Sequence, residues 1–336
     1  MRALLASSVI RECHKSGVWA RSFSFRSASE LAQLFRLAGK QFDALQLSQG
    51  ALDGRFCIAN FGSVALLKIS TSQRLLLNGD RGPDCISFSL EASGQAHDHK
   101  VFAVPIAAYS INGFRQGMTE SHFELSANST TYLTTTSCQR FNAYLEHCGV
   151  EGLIEQMQTS NGLQVSPQMH QHLAEEFERL IQSPLSTANQ RQQAGHRLYK
   201  LFLNCLSHNS ANTCFIPFTT SPRHELVREL VSWGFRNGSE ELNLDELSQT
   251  LYASRRTLIQ GSKEAFDIGP MELLKRIRLE QVNGMLRSPE LRQAAQLNTV
   301  TEVAQHFGFR SRGHFAKAYQ QLFAESPSTT LSQTIR

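Results

Sequence analysis

Several things are scarce in this sequence, and each scarcity excludes something. No C-x-x-C pair occurs, and the seven cysteines (Cys13, Cys57, Cys85, Cys138, Cys148, Cys205 and Cys214) are an odd number. That spacing suits neither a zinc site nor a disulfide framework; it fits small buried side chains in a reducing compartment. No run approaches the ~20 apolar residues a membrane span requires. The apolar stretch at positions 3–10 is short and is followed by Arg11, Glu12, His14 and Lys15, so no signal peptide is expected. Excess charge is also lacking. The 33 Lys+Arg and 29 Asp+Glu leave a net +4, which permits a polyanionic partner without pointing to one. No Ser-His-Asp arrangement, phosphate loop or pair of carboxylates in a recognisable setting is present. The reading is therefore a non-enzyme with no catalytic residues and no cofactor. His97-Asp98-His99 has the spacing of a metal-binding strand, but no acidic residue appears between Lys100 and Met118 to complete a site. The triplet reads as a solvated turn, and no metal is expected.

What is present is ample core. With 336 residues, 41% apolar and 18% charged, the chain predicts two globular domains. Residues 25–45 carry Leu31, Leu34, Phe35 and Leu37 at helical spacing, with Ser27 or Ser29 as cap. From 46 to about 137 the pattern shifts to short apolar or alternating runs (56–60, 64–69, 74–77, 86–90, 101–107, 122–125 and 131–134) punctuated by turn residues. That predicts an antiparallel sandwich or barrel, of a kind that can enclose a small ligand. Helical spacing returns at 138–158 and 166–208. The stripes Leu173, Phe177, Leu180, Ile181 and Leu198, Leu201, Phe202, Leu206 predict packing on the sheet or a homodimer face, with equal weight. A link rich in Ser, Asn, Thr and Pro lies near 207–220. The expected division is a regulatory, effector-binding or dimerisation domain at 1–215 and a second domain at 222–331. The fold class is α+β: a β-rich domain with flanking helices, then an all-α domain.

The second domain contains one pattern twice. LDELSQTLYASRRTLIQGSKEAF (244–266) and VTEVAQHFGFRSRGHFAKAYQQLF (300–323) align with an offset of 56 residues before the turn and 57 after it. Each copy reads as a short helix, a tight turn and a longer amphipathic helix, the outline of a helix-turn-helix. Between them, residues 270–287 form a helix of roughly 27 Å, with Leu274, Ile277, Gln281 and Met285 along one side. A spacer of that length suits two recognition helices set in successive major grooves on one DNA face. From Arg255 to Lys317 there are 11 Lys+Arg against 6 Asp+Glu, so positive charge is concentrated where DNA would lie.

LDELSQTL, SRRTL, LKRIRLEQV, VTEVAQHFGF, HFAKAYQQLF and SPSTTL together resemble the DNA-binding domain of the arabinose-operon-regulator (AraC/XylS) family of bacterial transcription factors. Within that family LKRIRL and YQQLFAESPS look most similar to regulators of ethanolamine-utilisation operons; this likeness implies ethanolamine with a cobalamin as effectors, but lies in the DNA-reading half alone. The resemblance implies a sequence-specific transcriptional activator with two helix-turn-helix units on a linker helix. It further implies promoter DNA and RNA polymerase as partners, a small-molecule effector or dimer contact in the N-terminal domain, and a cytoplasmic, nucleoid-associated location. Carried onto this chain, base-reading positions fall on Arg256, Ile259 and Gln260 and on Arg312, Gly313, His314 and Lys317. Ser254, Arg255, Lys263, Arg310 and Ser311 fall at phosphate-contacting positions. The chain departs from the family pattern at Gly261-Ser262, where the family has an apolar residue and a core Phe, and at Leu251-Tyr252, which lacks the turn glycine. The first recognition helix is accordingly expected to be the less rigid of the two. The rival reading is a non-specific architectural DNA binder whose N-terminal domain serves assembly only.

Overall fold

The computed structural model describes residues 20–82, 84–93, 98–207, 214–238, 240 and 243–333. The readings made of positions 3–15, of His97 and of 208–213 lie outside them. Along the N-terminal domain the elements are β1 (Ala20–Phe25), α1 (Ala28–Leu37), β2 (Gln41–Gln46), β3 (Gly54–Asn60), β4 (Val64–Thr71), β5 (Leu75–Asp80), β6 (Cys85–Glu91), β7 (Lys100–Val101), β8 (Val104–Pro105), β9 (Ser110–Asn112), β10 (Glu120–Leu125) and β11 (Ser129–Ser137). Then follow α2 (Cys138–His147), α3 (Gly152–Thr159), β12 (Ser160–Gln164), α4 (Pro167–Gln182), α5 (Ala188–Ser207) and β13 (Cys214–Pro217).

The strands form two antiparallel sheets, one in the order β1-β3-β4-β11-β6-β9-β12-β13 and a smaller one in the order β2-β5-β10-β7-β8. Facing side chains of both sheets and of α1 make one core, with Phe25, Phe35, Phe56, Leu67, Leu77 and Leu125 all buried. The opposite face of the larger sheet carries the helical layer, whose core includes Phe88, Phe141, Leu173, Phe177, Leu198 and Phe202. This favours the first of the two expectations for the α4 and α5 stripes: Leu173, Phe177, Leu180, Leu198, Phe202 and Leu206 are buried against the sheet, with Ile181 and Leu201 half-buried beside them. A β-rich domain with flanking helices is thus what forms.

Two segments differ from expectation. The helix read into 25–45 ends at Leu37. Gly39, at φ +77°, reverses the chain, and 41–46 pairs with β5. Phe42 and Ala44 are buried around a half-buried Asp43, a strand alternation hidden inside a window that also fits helical spacing. The stretch 138–158 splits into α2 and α3 around Gly149, whose φ of +69° no helix can carry. His99 also departs from the solvated turn expected of it. It is 1% exposed, and burial pushes its imidazole down to about 4, whereas Asp98 beside it is exposed.

The C-terminal domain is all-α: α6 (Pro222–Arg236), α7 (Leu244–Thr250), α8 (Arg255–Phe266), α9 (Pro270–Arg287), α10 (Pro289–Ala295), α11 (Val300–His306), α12 (Arg312–Phe323) and α13 (Pro327–Gln333). The spacer helix α9 is buried along most of its circumference, through Leu273, Leu274, Ile277, Leu279, Glu280, Val282, Asn283 and Leu286. Its early part packs with α6 and α8, its later part with α11 to α13, and α1 and β2 of the first domain cover its third side. Among the described residues no helix is long and apolar enough to cross a membrane.

Candidate nucleic-acid interface

The internal repeat persists at the level of atoms. Asn243 caps α7 and Thr299 caps α11, each in a reciprocal box with a glutamate (Glu246 and Glu302) that accepts from the cap's own backbone N–H. Ser254 and Ser311 cap the recognition helices α8 and α12, accepting from the backbone N–H of Thr257 at 3.1 Å and of His314 at 3.5 Å. Both helices end on a left-handed residue, Asp267 at φ +64° and Ala324 at φ +57°. Inside, Leu247 and Leu258 match Val303 and Phe315, all of them buried. The turn preceding each recognition helix needs positive φ. Gly308 supplies it in the second copy at +80°, and Tyr252 must adopt +48° in the first with its side chain 98% exposed.

The expected DNA-facing residues sit on the outer faces of these two helices. Arg256, Gln260, Arg312, Gly313, His314 and Lys317 are exposed, as are Ser254, Arg255, Lys263, Arg310 and Ser311; Ile259 is half-buried. The electrostatics of the two faces differ. On α8, Arg255 pairs with Asp245 at 3.0 Å, while Gln260 donates to Glu264 at 3.0 Å. Glu264 also takes Arg223 at 2.6 Å, and those contacts hold its carboxyl below the usual range. On α12 the exposed set is Arg312, Gly313, His314, Ala316, Lys317, Gln320 and Gln321, without an acidic residue. Among the described residues Arg312 and Lys317 of α12 make no ion pair, whereas the positive charge on α8 is partly answered within the domain.

The departures at Gly261-Ser262 have a structural account. A Cβ at 261 would lie 2.8 Å from Arg223 Cγ and 3.0 Å from Val227 Cγ2, so glycine lets α6 approach α8 more closely than a side chain allows. Ser262 is fully buried where Tyr319 stands in the second copy, and its hydroxyl donates to the Ile268 carbonyl at 2.8 Å. Tyr319 instead fills its site with a ring and accepts from Asn283 Nδ2 at 2.7 Å. The first copy is thus held by close helix contact and a hydrogen bond where the second is held by an aromatic anchor.

The sequence alone did not reveal how the β-rich domain grips this one. Gly50 N–H and Gln46 Nε2 donate to the Leu322 carbonyl near the end of α12, at 2.9 and 3.1 Å. The carbonyl of Ala265, near the end of α8, accepts from Lys100 Nζ and from Arg74 Nη2. Ala265 and Leu322 are equivalent positions of the repeat, so the first domain holds the same carbonyl in both motifs. Midway between, Glu280 of α9 is fully enclosed and accepts the backbone N–H of Ser29 at 3.3 Å and of Gln46 at 3.4 Å. Burial pushes its carboxyl up to about 7, against the pull of those two N–H groups and of Arg287. Arg276 donates to the Leu47 carbonyl. Arg74 makes a forked contact with the buried Glu124 at 3.0 and 2.6 Å and reaches Asp267 at 3.1 Å. Leu45, Leu47, Leu76 and Ala103 of the first domain complete the core around Leu230, Leu258 and Ile277. These contacts join residues up to 276 positions apart, which no local pattern signals.

Residues 247–333 match the family model described as a helix-turn-helix domain. Over 130 residues, 39% of this chain, it is 29% identical to a XylDLEGF operon transcriptional activator of Pseudomonas putida, spanning 77% of that protein. A second activator of the same operon from that organism is 27% identical over 113 residues, and there the chain spans only 33% of the relative's length. The chain carries a DNA-binding domain of the AraC/XylS family. A transcriptional activator named RhaS from Pectobacterium carotovorum is 25% identical over 120 residues, 36% of this chain and 40% of that protein. Among solved structures, a probable AraC family regulator from Rhodopseudomonas palustris is 27% identical, covering 33% of this chain and 97% of that one, with a TM-score of 0.29. The match to the family model covers both recognition helices and the second capping box, and begins just after the first box.

Proposed function

We propose that this protein is a sequence-specific transcriptional regulator, an activator, that reads two adjacent major grooves with α8 and α12 and responds to a small molecule held in its β-rich domain. The observation that carries it is the exposed face of α12, basic and free of acidic residues, set opposite a buried face of Phe315, Tyr319, Leu322 and Phe323. Arg312, Gly313, His314 and Lys317 read bases on the second helix, and Arg256, Ile259 and Gln260 on the first; arginine suits guanine and glutamine suits adenine. Ser254, Arg255, Lys263, Arg310 and Ser311 contact phosphates. The two serines do so while their oxygens cap the helices, in the manner of a helix N-terminus meeting an anion. The relatives named as operon activators support activation, and with it a contact to RNA polymerase. The double grip on Ala265 and Leu322 sets the spacing of the two recognition helices, so a change in the β-rich domain alters which DNA they fit.

The test is a binding titration on promoter DNA and on random DNA of equal length. Arg312→Ala and Lys317→Ala should each lose about 1–3 kcal/mol on promoter DNA and much less on random DNA. Equal affinity of the unaltered protein for both DNAs at physiological salt would instead establish the architectural reading.

A further inference from the structure

Cys85 and Cys138 meet where β6 begins and β11 gives way to α2. In the larger sheet Cys85 stands opposite Ser137, and Cys138 N–H donates to the Asp84 carbonyl at 3.1 Å. Opposite positions lie about 5 Å apart and one step along a strand adds ~3.3 Å, so the two Cα atoms are roughly 6 Å apart, within the ~7 Å that a disulfide bridges. Both thiols are unpaired and partly exposed. Two buried cations accompany them. Lys40 and Arg81, 2% and 5% exposed, line a narrow cavity between the two sheets. Lys40 Nζ donates to Cys85 Sγ at 3.3 Å and to Ser87 Oγ at 3.5 Å, and Thr135 Oγ1 lies 2.9 Å from Cys85 Sγ. Cys85 is the stronger counter-charge of Lys40, and the exposed Asp80 the weaker. Arg81 gives its N–H donors to the carbonyls of Met118, Gly113 and Arg115, while its charge reaches both sulfurs. The effect on the two thiols is opposite. Burial alone would push Cys85 up, but Lys40 together with the hydroxyls of Thr135 and Ser87 outweighs it and holds the thiol below a free cysteine's value. At Cys138 burial and the charge of Asp84 prevail over Arg81 and push the thiol up. Burial likewise pushes up Cys57 and Cys205. A lowered, reachable thiol beside a second one is the arrangement of an attacking and a resolving cysteine.

We propose that Cys85 is a site of reversible oxidation by hydroperoxides and that Cys138 resolves the oxidised sulfur as a disulfide. The Cys85 thiolate attacks the hydroxyl oxygen of the peroxide, and the O–O bond breaks. That oxygen stays on Cys85 with its proton as a sulfenic acid, while the other oxygen leaves with the electron pair and takes a proton from solvent. The sulfur is oxidised by two electrons and the peroxide is reduced by two. Cys138 Sγ then attacks Cys85 Sγ, the S–O bond breaks, and the hydroxyl departs with the Cys138 proton as water. A dithiol reductant reverses the bridge by two exchange steps and is itself left as a disulfide. Lys40 supports the first step by holding Cys85 ionised, and the thiolate it pairs with is lost once the bridge forms. Neither step depends on DNA binding or on a small-molecule effector.

The experiment uses the full chain, fully reduced, with hydrogen peroxide as the probe. Iodoacetamide labelling at neutral pH, mapped by mass spectrometry, should mark Cys85 at least about ten-fold faster than Cys57, which is also half-buried. Peroxide should yield a Cys85–Cys138 disulfide that dithiothreitol reverses. In Cys138→Ser the reaction should stop at a Cys85 sulfenic acid, trapped by dimedone. Lys40→Gln should slow the labelling of Cys85 towards that of Cys57. The labelling ratio and the disulfide map need no variant, so they stand even if Lys40→Gln fails to fold. Labelling of Cys85 no faster than Cys57 overturns its role as the nucleophile. A peroxide product without the Cys85–Cys138 bridge overturns the role of Cys138, and a sulfinic acid on Cys85 as the first stable product overturns reversibility.

Discussion

Replacing Glu280 with glutamine tests whether the docking of α9 on the β-rich domain is a neutral or an ionised contact. Glu280 is fully enclosed, its oxygens accept long N–H bonds from Ser29 and Gln46, and burial raises its carboxyl from 4.5 to about 7 against the pull of those groups, Arg287 and the Ala28 N–H. The folded state therefore holds the proton over a range in which the unfolded chain has lost it. The contribution of Glu280 to stability is accordingly highest below pH 4.5 and falls as pH rises, levelling off above about 7. A displacement of that size corresponds to a loss of about 3 kcal/mol across the window, as an upper figure. Glutamine mimics the protonated acid, with one acceptor and one donor end. Glu280→Gln should thus cost about 1 kcal/mol or less at pH 5 and should be the more stable form at pH 8, by about 1–3 kcal/mol. The assay is urea unfolding of both proteins at pH 5, 6, 7 and 8, followed by tryptophan fluorescence, since Trp233 packs on the interdomain core. Subtracting the two series cancels the contributions of Glu124, His99 and His122, which both proteins share. A difference that stays constant from pH 5 to pH 8 would refute the reasoning, because it would mean that Glu280 does not change protonation in that range.

Three further outcomes follow from single contacts. Arg74→Ala removes the only ion-pair partner of Glu124 among the described residues and should destabilise the protein by about 3–5 kcal/mol at pH 8, where the unaltered pair is ionised and the variant must either bury a lone carboxylate or take up a proton. Because burial pushes Glu124 up to about 7, the loss should shrink below that pH, and denaturation at pH 5 and 8 checks it. Tyr252→Gly relieves a left-handed, exposed residue and should raise thermal stability by about 0.5–1 kcal/mol, whereas a lower melting temperature would show that the tyrosine side chain contributes to the turn. Gly261→Leu, which supplies an apolar residue where the family has one, should cost about 1–3 kcal/mol through collision with Arg223 and Val227. Calorimetry on that variant distinguishes close packing from a merely flexible glycine, since a flexible site would gain stability.

The repeat, the Ser27 cap, the amphipathic faces of α8 and α12 and the β-rich character of the first domain were all legible from residue order. Each is a local property: a cap acts over three residues, a helical stripe over a few turns, and a repeat is visible wherever both copies keep their spacing. Even the inequality of the two motifs was readable at Gly261-Ser262, although its cause was not. Tertiary structure decided the rest. It assigned the α4 and α5 stripes to the sheet, turned 41–46 into a strand, set Lys40 and Arg81 in one cavity and buried Glu280 under the first domain. It also gave glycine at 261 a packing role that helix propensity alone counts only as a cost. Those outcomes depend on which surfaces meet across more than a hundred residues of chain, and a pattern read over a few neighbouring positions does not carry that information.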